Sequence, residues 1–235
     1  MKKLVALLNI LILLFAVGCE SVSTLGDVTS PTVSLPPVST ITPEIITPSP
    51  YPSAETTPYN ALPDYQGDYV ISVNRKQNKV FVFSKDTENK YTHLIKAFIC
   101  SVGTGPGDNE TPEGIFFTNE KYLWRALYGG SYGQYAIRFY GAYLFHSVPY
   151  SKKDKGALKS EEYNKLGTAA SQGCIRLAVE DAKWLYDNCA QGTLVYIYDS
   201  DKIEPFVEER EKIDLTDSRA LWDPTDPDIN NPWKT

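Results

Sequence analysis

The chain changes character near residue 63, and this change restricts where a folded domain can form. Nine of its 16 prolines lie between Glu20 and Pro63, in a stretch rich in serine and threonine with only isolated aliphatic residues. Such a stretch cannot bury enough apolar surface to offset the entropy that is lost on ordering. We therefore expect residues 19–63 to form an extended linker and the folded part to begin at Asp64.

The first residues have the layout of a bacterial export signal. Two lysines precede an apolar run from Leu4 to Val17, which is too short to span a membrane, and the run ends at Gly18. The segment Phe15–Cys19 resembles a lipobox, whose cysteine is acylated and becomes the mature N-terminus. We expect residues 1–18 to be a signal peptide, Cys19 to be lipidated, and the protein to be exported and anchored to the cell membrane, facing the cell wall. The alternative is an ordinary signal peptide that is cleaved nearby.

Residues 64–200 carry the patterns of one mainly β domain. Runs of β-branched and aromatic residues at 70–73 and 79–83 flank a turn-prone segment and predict a hairpin. Further strands are predicted at 91–100, 115–117, 135–139, 143–145 and 194–198. A helix is predicted from Val179 to Cys189, because apolar residues recur there at helical spacing. The expected fold is a mostly antiparallel β-sandwich or barrel with one main helix after Cys174.

Cys174 and His146 have the chemistry of a nucleophile and its base. Cys174 lies in the run Ser171-Gln172-Gly173-Cys174-Ile175-Arg176-Leu177, and His146 follows a predicted strand. A thiol attacks as its thiolate, and an imidazole that titrates near neutral pH is the usual group to remove its proton. Although an isolated cysteine is more often a small buried hydrophobe, the pair indicates acyl transfer.

Four motifs in order resemble the L,D-transpeptidase catalytic domain of bacterial cell-wall enzymes, the YkuD type. They are Gly103-Thr104-Gly105 with Thr111-Pro112-Glu113-Gly114, then Phe145-His146-Ser147, then Ser171 to Leu177, and finally the helix Ala182-Lys183-Trp184-Leu185-Tyr186. The resemblance covers residues 64–200. It implies an enzyme without a cofactor that acts on peptidoglycan stem peptides, and one that carbapenem-like β-lactams acylate.

The resemblance also implies a role for each residue near the cysteine. Cys174 would attack a tetrapeptide stem at its diamino acid, release D-alanine and form a thioester, which an amine acceptor resolves. His146 would serve as general acid and base, oriented by the backbone carbonyl of Ser147 in place of a carboxylate. The amides around Gly173 would stabilise the oxyanion.

Three further residues of the same run are candidates for substrate binding. Arg176 meets a substrate carboxylate or holds the loop in place, Ser171 contacts the substrate or hydrogen-bonds within the loop, and Gln172 contacts the substrate. Gln172 occupies a position where the family more often has histidine or serine-histidine, which bears on substrate detail rather than on chemistry.

Cys174 follows His146 by 28 positions, and the long interval between them is rich in lysine. The lysines are Lys152, Lys153, Lys155, Lys159 and Lys165. One interpretation is a basic lid that contacts the acidic stem peptide. The other is an ordinary solvated loop.

The remaining cysteines of the domain, Cys100 and Cys189, leave two alternatives open. An exported protein can join them in a disulfide and keep Cys174 free. Both, however, lie in apolar surroundings in the sequence, and plain burial explains them equally.

Composition argues against two other kinds of site. The chain has two histidines and no close set of cysteine and histidine, so a metal site is not expected. Its formal net charge of −6 is opposite to what nucleic-acid binding requires.

Residues 201–235 form an acidic C-terminal tail. We expect a short helix from Phe206 to Leu215, and we expect Trp222 and Trp233 to pack against the domain, since two tryptophans in a polar segment are seldom left in water. A tail that covers the catalytic cleft is a further hypothesis.

Three classes of function remain. The first is a transpeptidase that makes cross-links or attaches a protein. The second is a carboxypeptidase or hydrolase that uses the same cysteine and histidine, because water and amines compete for one thioester. The third is a wall-binding lipoprotein without catalysis, in which the aromatic segment from Tyr122 to Tyr143 stacks on glycan.

Overall fold

The computed structural model describes residues 64–234, which form nine strands and two α-helices. The strands are β1 (Tyr69–Asn74), β2 (Lys79–Lys85), β3 (Tyr91–Ile99), β4 (Gly114–Phe117), β5 (Lys121–Ala126), β6 (Tyr132–Tyr140), β7 (Tyr143–Ser147), β8 (Ile175–Leu177) and β9 (Leu194–Tyr198). The helices are α1 (Ser160–Tyr163) and α2 (Val179–Asn188), with single 3₁₀ turns at Tyr128–Gly130 and Pro232–Lys234. Cys19, the predicted export signal and the predicted linker lie outside the described residues. Within residues 64–234, no helix combines the length and the apolar character that a membrane span requires.

The strands form two mixed sheets. One has the order β3-β2-β1-β9-β4 and the other the order β5-β6-β7-β8. The pairs β1–β9 and β7–β8 are parallel, and the other pairs are antiparallel. The predicted mainly β, mostly antiparallel fold is therefore confirmed.

The five-stranded sheet is buried on both faces around β1 and β2. Ile71, Val73, Val80 and Val82 face the larger core, whereas Val70, Phe81 and Phe83 join a smaller cluster on the opposite face. A strand that is covered on both sides has apolar residues in succession rather than in alternation. This explains why the predicted hairpin, with its register Val73↔Val80, reads as two continuous apolar runs.

Helix α2 follows β8 directly and packs on the four-stranded sheet. Ala182 and Leu185 of the helix and the adjacent Cys189 are buried, as their spacing predicts. The residue before the helix, Ala178, has no side chain that can cap the first turn. Asp223 does so instead, because its carboxylate accepts a hydrogen bond of 3.0 Å from the Val179 N–H.

The C-terminal tail is part of the packed domain. Ile213 and Ala220 lie in the larger core, and Trp233 packs against it. The Trp233 Nε1–H donates to the carbonyls of Arg219 and Trp222, at 3.1 Å each. The prediction that the tryptophans pack on the domain is thus confirmed.

The short helix predicted from Phe206 to Leu215 is wrong, because this segment has no helix. Its backbone bonds to the domain rather than to itself: the side chain of Asn164 binds both the N–H and the carbonyl of Ile213, at 2.7 and 2.8 Å. Arg210 is drawn to Glu180 and Asp181 at the start of α2. These tertiary contacts replace the hydrogen bonds of a helical turn.

Candidate active site

The parallel pairing of β7 and β8 brings His146 and Cys174 to the same face of a sheet. His146 is directly opposite Arg176, and Cys174 precedes β8 by one residue. Because side chains alternate along a strand, Cys174 and Arg176 point to the same face, and His146, level with Arg176 on the next strand, shares it. Ile175 and Leu177 point the other way, into the core. The apolar alternation of β8 therefore fixes the side on which the nucleophile lies.

A cavity of about 350 Å³ opens on this face. Cys174 and His146 both line it, as do the other candidate residues Ser171, Gln172 and Arg176. Arg125, Arg138 and Tyr143, which the sequence patterns did not single out, are also on its wall. The cavity thus collects the predicted nucleophile, the predicted base and the predicted substrate-binding residues.

His146 is held with one nitrogen committed to the backbone. Its Nδ1 lies 2.5 Å from the carbonyl oxygen of Ser147, the contact that the family resemblance implies. A carbonyl only accepts hydrogen bonds, so Nδ1 carries a proton, and in the neutral ring the lone pair is on Nε2. The side chain is 2% exposed, and burial lowers the pKa of His146 to about 4 against the opposing effect of the Ser147 hydrogen bond. At neutral pH the imidazole is therefore an uncharged base.

Cys174 is also uncharged at neutral pH. Burial raises the pKa of the Cys174 thiol above its ordinary value, and a hydrogen bond from the backbone of Leu144 and the charges of Arg176 and Arg138 offset this only in part. The resting groups are a thiol and a neutral imidazole on the wall of one cavity, and not a thiolate–imidazolium ion pair. Proton transfer must then accompany nucleophilic attack.

The turn before Cys174 requires a glycine at position 173. Gly173 has φ +97°, and a Cβ there would lie 2.3 Å from the Tyr143 ring and 2.9 Å from the Glu110 carbonyl oxygen. Ser171 closes the same turn, since its hydroxyl donates to the Cys174 carbonyl at 2.5 Å and accepts from the Gly173 N–H at 3.1 Å. The Gly173 N–H, one of the amides expected to stabilise the oxyanion, is bound by the Ser171 hydroxyl in this conformation.

Thr111 of the threonine-proline motif holds this turn in place through hydrogen bonds. The buried Thr111 hydroxyl donates to the Gly173 carbonyl at 2.9 Å and accepts from the Gly103 N–H at 2.8 Å. Arg75 holds the neighbouring backbone through the Thr111 carbonyl, at 2.7 Å. The two halves of the first motif, 103–105 and 111–114, are thus joined to the nucleophile turn by one hydroxyl.

Comparison with known proteins supports the assignment that this geometry indicates. The model of the L,D-transpeptidase catalytic domain family matches residues 68–197. The chain belongs to this family. Its sequence is 37% identical over 140 residues to a Bacillus subtilis (strain 168) protein named "Putative L,D-transpeptidase YciB", and the match covers 57% of this chain and 69% of that protein.

Two solved structures show weaker similarity. One is a fused Zn-dependent amidase/peptidase/peptidoglycan-binding domain-containing protein from Clostridium acetobutylicum ATCC 824, with 28% identity, a TM-score of 0.42, and coverage of 63% of this chain and 64% of that one. The other is the L,D-transpeptidase LdtMt1 in complex with imipenem, with 18% identity, a TM-score of 0.44, and coverage of 56% and 59%. The chain thus spans less than two thirds of the length of these two structures.

Arg176 of the L,D-transpeptidase domain is tied to the fold by an ion pair. Its guanidinium lies 2.5 Å from the Glu162 carboxylate, which also pairs with Lys165 at 2.6 Å. Helix α1 carries Glu162 and so anchors the segment before the nucleophile turn to β8. Of the two roles considered for Arg176, the structural one is occupied in this conformation.

The five lysines between His146 and Cys174 do not line the cavity of the L,D-transpeptidase domain. Lys155 pairs with Asp226 and Asp228 of the tail, and Lys165 pairs with Glu162. The basic residues on the cavity wall are Arg125, Arg138 and Arg176. These contacts favour the interpretation as a surface loop, and the positive charge on the cavity wall comes from the arginines.

The tail does not cover the cavity either, because its lining residues all lie between Asp108 and Arg176. Cys100 and Cys189 are free thiols, and both are buried. Cys100 and Cys189 are therefore not joined in a disulfide in this structure. In the described part of the chain, no group of three or more histidine, cysteine or acidic side chains is placed to hold a metal ion.

Sequence reasoning missed Gly133, which is part of the L,D-transpeptidase site. Gly133 is in β6, and a Cβ there would lie 2.8 Å from His146 Nδ1. A glycine inside a strand pattern signals close approach of another group, so the sequence carried a signal at this position. The partner could be identified only from the fold.

Proposed function

We propose that this chain is a cell-wall L,D-transpeptidase that transfers an acyl group through Cys174. The donor is the tetrapeptide stem of peptidoglycan, and the acceptor is an amine of a second stem or of a protein. The observation that carries the proposal is the shared cavity of Cys174 and His146, with His146 Nδ1 bound to the Ser147 carbonyl. Membership of the L,D-transpeptidase family supports the same reaction class.

In the acylation half, the neutral imidazole acts first as a base. His146 Nε2 takes the thiol proton while the sulfur of Cys174 bonds to the carbonyl carbon of the third stem residue. The tetrahedral intermediate then expels the nitrogen of D-alanine, and the imidazolium returns the proton to that nitrogen. A thioester and free D-alanine are the products. The lowered pKa of His146 makes its conjugate acid strong and favours this return.

The deacylation half runs through the same groups in reverse. The acceptor amine approaches the thioester, His146 Nε2 removes its proton as the nitrogen bonds to the carbonyl carbon, and the Cys174 sulfur leaves as the proton returns to it. Water in place of the amine would yield the free acid, which is the carboxypeptidase outcome. Both outcomes use one intermediate, so the acceptor that reaches the cavity decides between them.

Developing charge on the oxyanion needs donors near the turn at Gly173. We propose that the amides around Gly173 and Cys174 supply them, with the Gly173 N–H exchanging the Ser171 hydroxyl for the oxyanion during the reaction. Ser171 keeps its bond to the Cys174 carbonyl throughout. Donors that point at the developing charge stabilise the transition state, and the exchange of partner at Gly173 is the rearrangement that this proposal requires.

The substrate-binding assignments of Ser171, Gln172 and Arg176 are also part of the proposal. All three line the cavity, and Gln172 is exposed to it. Gln172 offers an amide that can both donate to and accept from a peptide backbone. Arg176 acts mainly through Glu162, so its effect on the substrate is the positive charge that it contributes to the cavity.

A carbapenem is a strained acyl donor that fits the same chemistry. We propose that Cys174 opens the lactam ring and retains the ring carbonyl as a thioester, as the nucleophile does with the stem peptide. The structure of the L,D-transpeptidase LdtMt1 was solved with imipenem. Mass spectrometry of the protein after incubation with imipenem should find one adduct, absent from Cys174→Ala.

The N-terminal sequence supports a proposal for the cellular location. We propose that the protein is exported, that Cys19 carries the lipid, and that residues 20–63 span the distance between the membrane and the wall. The lipobox-like segment ending at Cys19 supports this proposal. In the native bacterium, Cys19→Ala should release the protein from the membrane fraction, and membrane retention of that variant would contradict it.

The central experiment is intact-protein mass spectrometry of the protein without residues 1–19, with a disaccharide-tetrapeptide. The wild type should form a thioester adduct with release of D-alanine, and Cys174→Ala should form none. With an added amine acceptor, a cross-linked product establishes transpeptidation. A shortened peptide alone favours the carboxypeptidase. A folded wild type with neither adduct nor product would leave the wall-binding function.

A further inference from the structure

Among the arginines of residues 64–234, Arg125 is the one that forms no ion pair with a carboxylate. The chain has six arginines, and five of them contact carboxylates of the fold. These pairs are Arg75 with Glu110, Glu113 and Asp199, Arg138 with Glu120, Arg176 with Glu162, Arg210 with Glu180 and Asp181, and Arg219 with Asp217. For Arg125, no carboxylate partner lies within the described part of the chain.

This cation lies on the wall of the catalytic cavity. Arg125 is in β5, directly opposite Gly133 of β6, which packs against His146. Its side chain lines the cavity together with Cys174 and His146. Among the described residues, the only acidic side chain on that wall is Asp108, and no ion pair joins it to Arg125. The cavity therefore holds a positive charge that the fold leaves unbalanced.

The guanidinium of Arg125 is held in position by stacking. It lies 4.6 Å from the centroid of the Tyr122 ring. The Tyr122 hydroxyl is in turn fixed by Arg138, whose Nη2 donates to it at 3.3 Å. A guanidinium that stacks through its face keeps the N–H groups of its edge available for a planar anion. A carboxylate is such an anion, and it accepts two parallel hydrogen bonds.

Arg138 does not have the same N–H groups available to bind a carboxylate. Its Nε donates to Glu120 at 2.8 Å, its Nη1 donates to the Gly141 carbonyl, and its Nη2 donates to Tyr122. Arg176 is paired with Glu162. Of the three arginines on the wall, Arg125 is the one whose donors are uncommitted to the part of the chain that the structure describes.

We propose that Arg125 determines specificity by binding a free carboxylate of the stem peptide. The inference rests on the proposed function, since it names what the same cavity recognises. A tetrapeptide stem that ends in D-alanine offers a C-terminal carboxylate, and a diamino dicarboxylic acid as third residue offers a second one on its side chain. Lysine in that position offers only the first.

The test compares three synthetic donors with wild type and Arg125→Gln. The first donor has a diamino dicarboxylic acid with both carboxylates free, the second has the side-chain carboxylate amidated, and the third has the C-terminal carboxylate amidated. D-alanine, or its amide, is quantified as the released product. Wild type should lose about tenfold or more in kcat/KM on one of the amidated donors, as expected for a charged hydrogen bond.

Arg125→Gln should lose a similar factor on the free donor and should no longer distinguish it from that amidated donor. Arg125→Lys, which keeps the charge without the planar fork, should fall between the two. The amidated donor that loses rate identifies which carboxylate is bound. Equal rates of wild type on all three donors, or the same discrimination in Arg125→Gln, would overturn the proposal.

Two controls test whether a loss of discrimination comes from a changed fold or from a changed reactivity of Cys174, rather than from loss of the Arg125 contact. Arg219→Gln removes an arginine that also stacks on an aromatic ring, Trp233 at 3.9 Å, but lies outside the cavity, and it should keep the discrimination of the wild type. The rate at which iodoacetamide alkylates Cys174 should be the same in Arg125→Gln and wild type. If wild type releases no D-alanine from any donor, the proposed function fails, whereas release without discrimination refutes only the role of Arg125.

Discussion

Gly133 of β6 packs its backbone directly against the imidazole of His146. A Cβ at position 133 would lie 2.8 Å from His146 Nδ1 and 2.9 Å from the His146 Cβ. Contacts this short do not occur between real side chains, so one of the two groups would have to move. The absence of a side chain at this position is part of what keeps His146 Nδ1 on the Ser147 carbonyl.

Gly133→Ala should therefore lower kcat by roughly 10- to 100-fold, the range expected when a catalytic group is displaced by about 1 Å. The physical reason is displacement of the ring, which breaks the Nδ1 hydrogen bond and turns Nε2 away from Cys174. Steady-state kinetics of D-alanine release would measure the effect.

The matched control is Gly192→Ala, which adds the same methyl group where no atom lies within 4 Å. Its positive φ makes this variant less stable, but kcat should stay near the wild-type value. If Gly133→Ala kept full activity and an unchanged acid limb in its pH profile, the positioning role of Gly133 would be refuted.

The activity of the free enzyme should persist well below neutral pH. His146 must be uncharged to accept the thiol proton, and burial lowers the pKa of His146 to about 4. The acid limb of kcat/KM should then lie near pH 4 rather than near the ordinary histidine value of about 6.5. A profile of kcat/KM from pH 3 to 9 would locate it, and a limb at pH 6 or above would contradict the neutral resting pair.

Alkylation of Cys174 tests the other half of that pair. Iodoacetamide reacts with the thiolate, and burial raises the pKa of the Cys174 thiol above the ordinary range of about 8–9. The alkylation rate should therefore keep rising with pH beyond that range. Cys100 and Cys189 are buried and should react only after unfolding. A rate that is already constant at pH 7 would indicate a preformed thiolate.

Thr111→Val should weaken both the fold and the catalytic turn. Valine keeps the shape of threonine but leaves the Gly173 carbonyl and the Gly103 N–H without their shared partner. An unsatisfied buried group costs about 1–3 kcal/mol. Chemical denaturation should report a loss in this range, together with reduced kcat. Thr111→Ser restores the hydroxyl and should recover most of both, whereas equal effects of serine and valine would point to packing instead.

Asp223→Ala should lower the free energy of unfolding by about 1–2 kcal/mol, as expected for the loss of a helix cap. The Asp223 carboxylate, which is 0% exposed, also accepts from the N–H and hydroxyl of Thr225, at 2.8 and 2.6 Å. Urea denaturation at pH 7 would measure the change. No change would mean that the start of α2 does not depend on the tail.

Asp223→Asn isolates the charge of the same group. Burial raises the pKa of Asp223 to about 6, above its ordinary value of 3.8. A raised folded-state pKa means that the folded protein binds the proton more tightly, so this contribution to stability is present below pH 3.8 and is lost as the pH rises to about 6. The stability of wild type relative to Asp223→Asn should fall across this window and level off above it. A difference that grows with pH would contradict the assignment.

The residues that meet at the site could be predicted from sequence because they are concentrated in short motifs. Cys174, His146 and the Ser147 carbonyl meet as expected, and the apolar runs of β1, β2 and β9 identify the central strands. The glycine before the cysteine also has a geometric requirement that the sequence reveals, since Gly173 must adopt a positive φ.

The parts that sequence did not reveal depend on contacts between distant segments. Strand β8 pairs with β7 and is three residues long, which is too short for its alternation to be recognised in the sequence. Strand β5 carries exposed Leu123 and Arg125 and lacks a clean alternation. The failure at 206–215 has the same origin, because Asn164 and Arg210 bind across the fold and override the local preference.

The cap that Asp223 places on α2 has a consequence for the order in which the molecule matures. Helix α2 directly follows the strand that positions the nucleophile, yet the carboxylate that satisfies its first amide is synthesised some 40 residues later. The first turn of α2 can therefore be capped only after the segment around Asp223 has packed against it, so the helix that follows the catalytic cysteine depends on the tail.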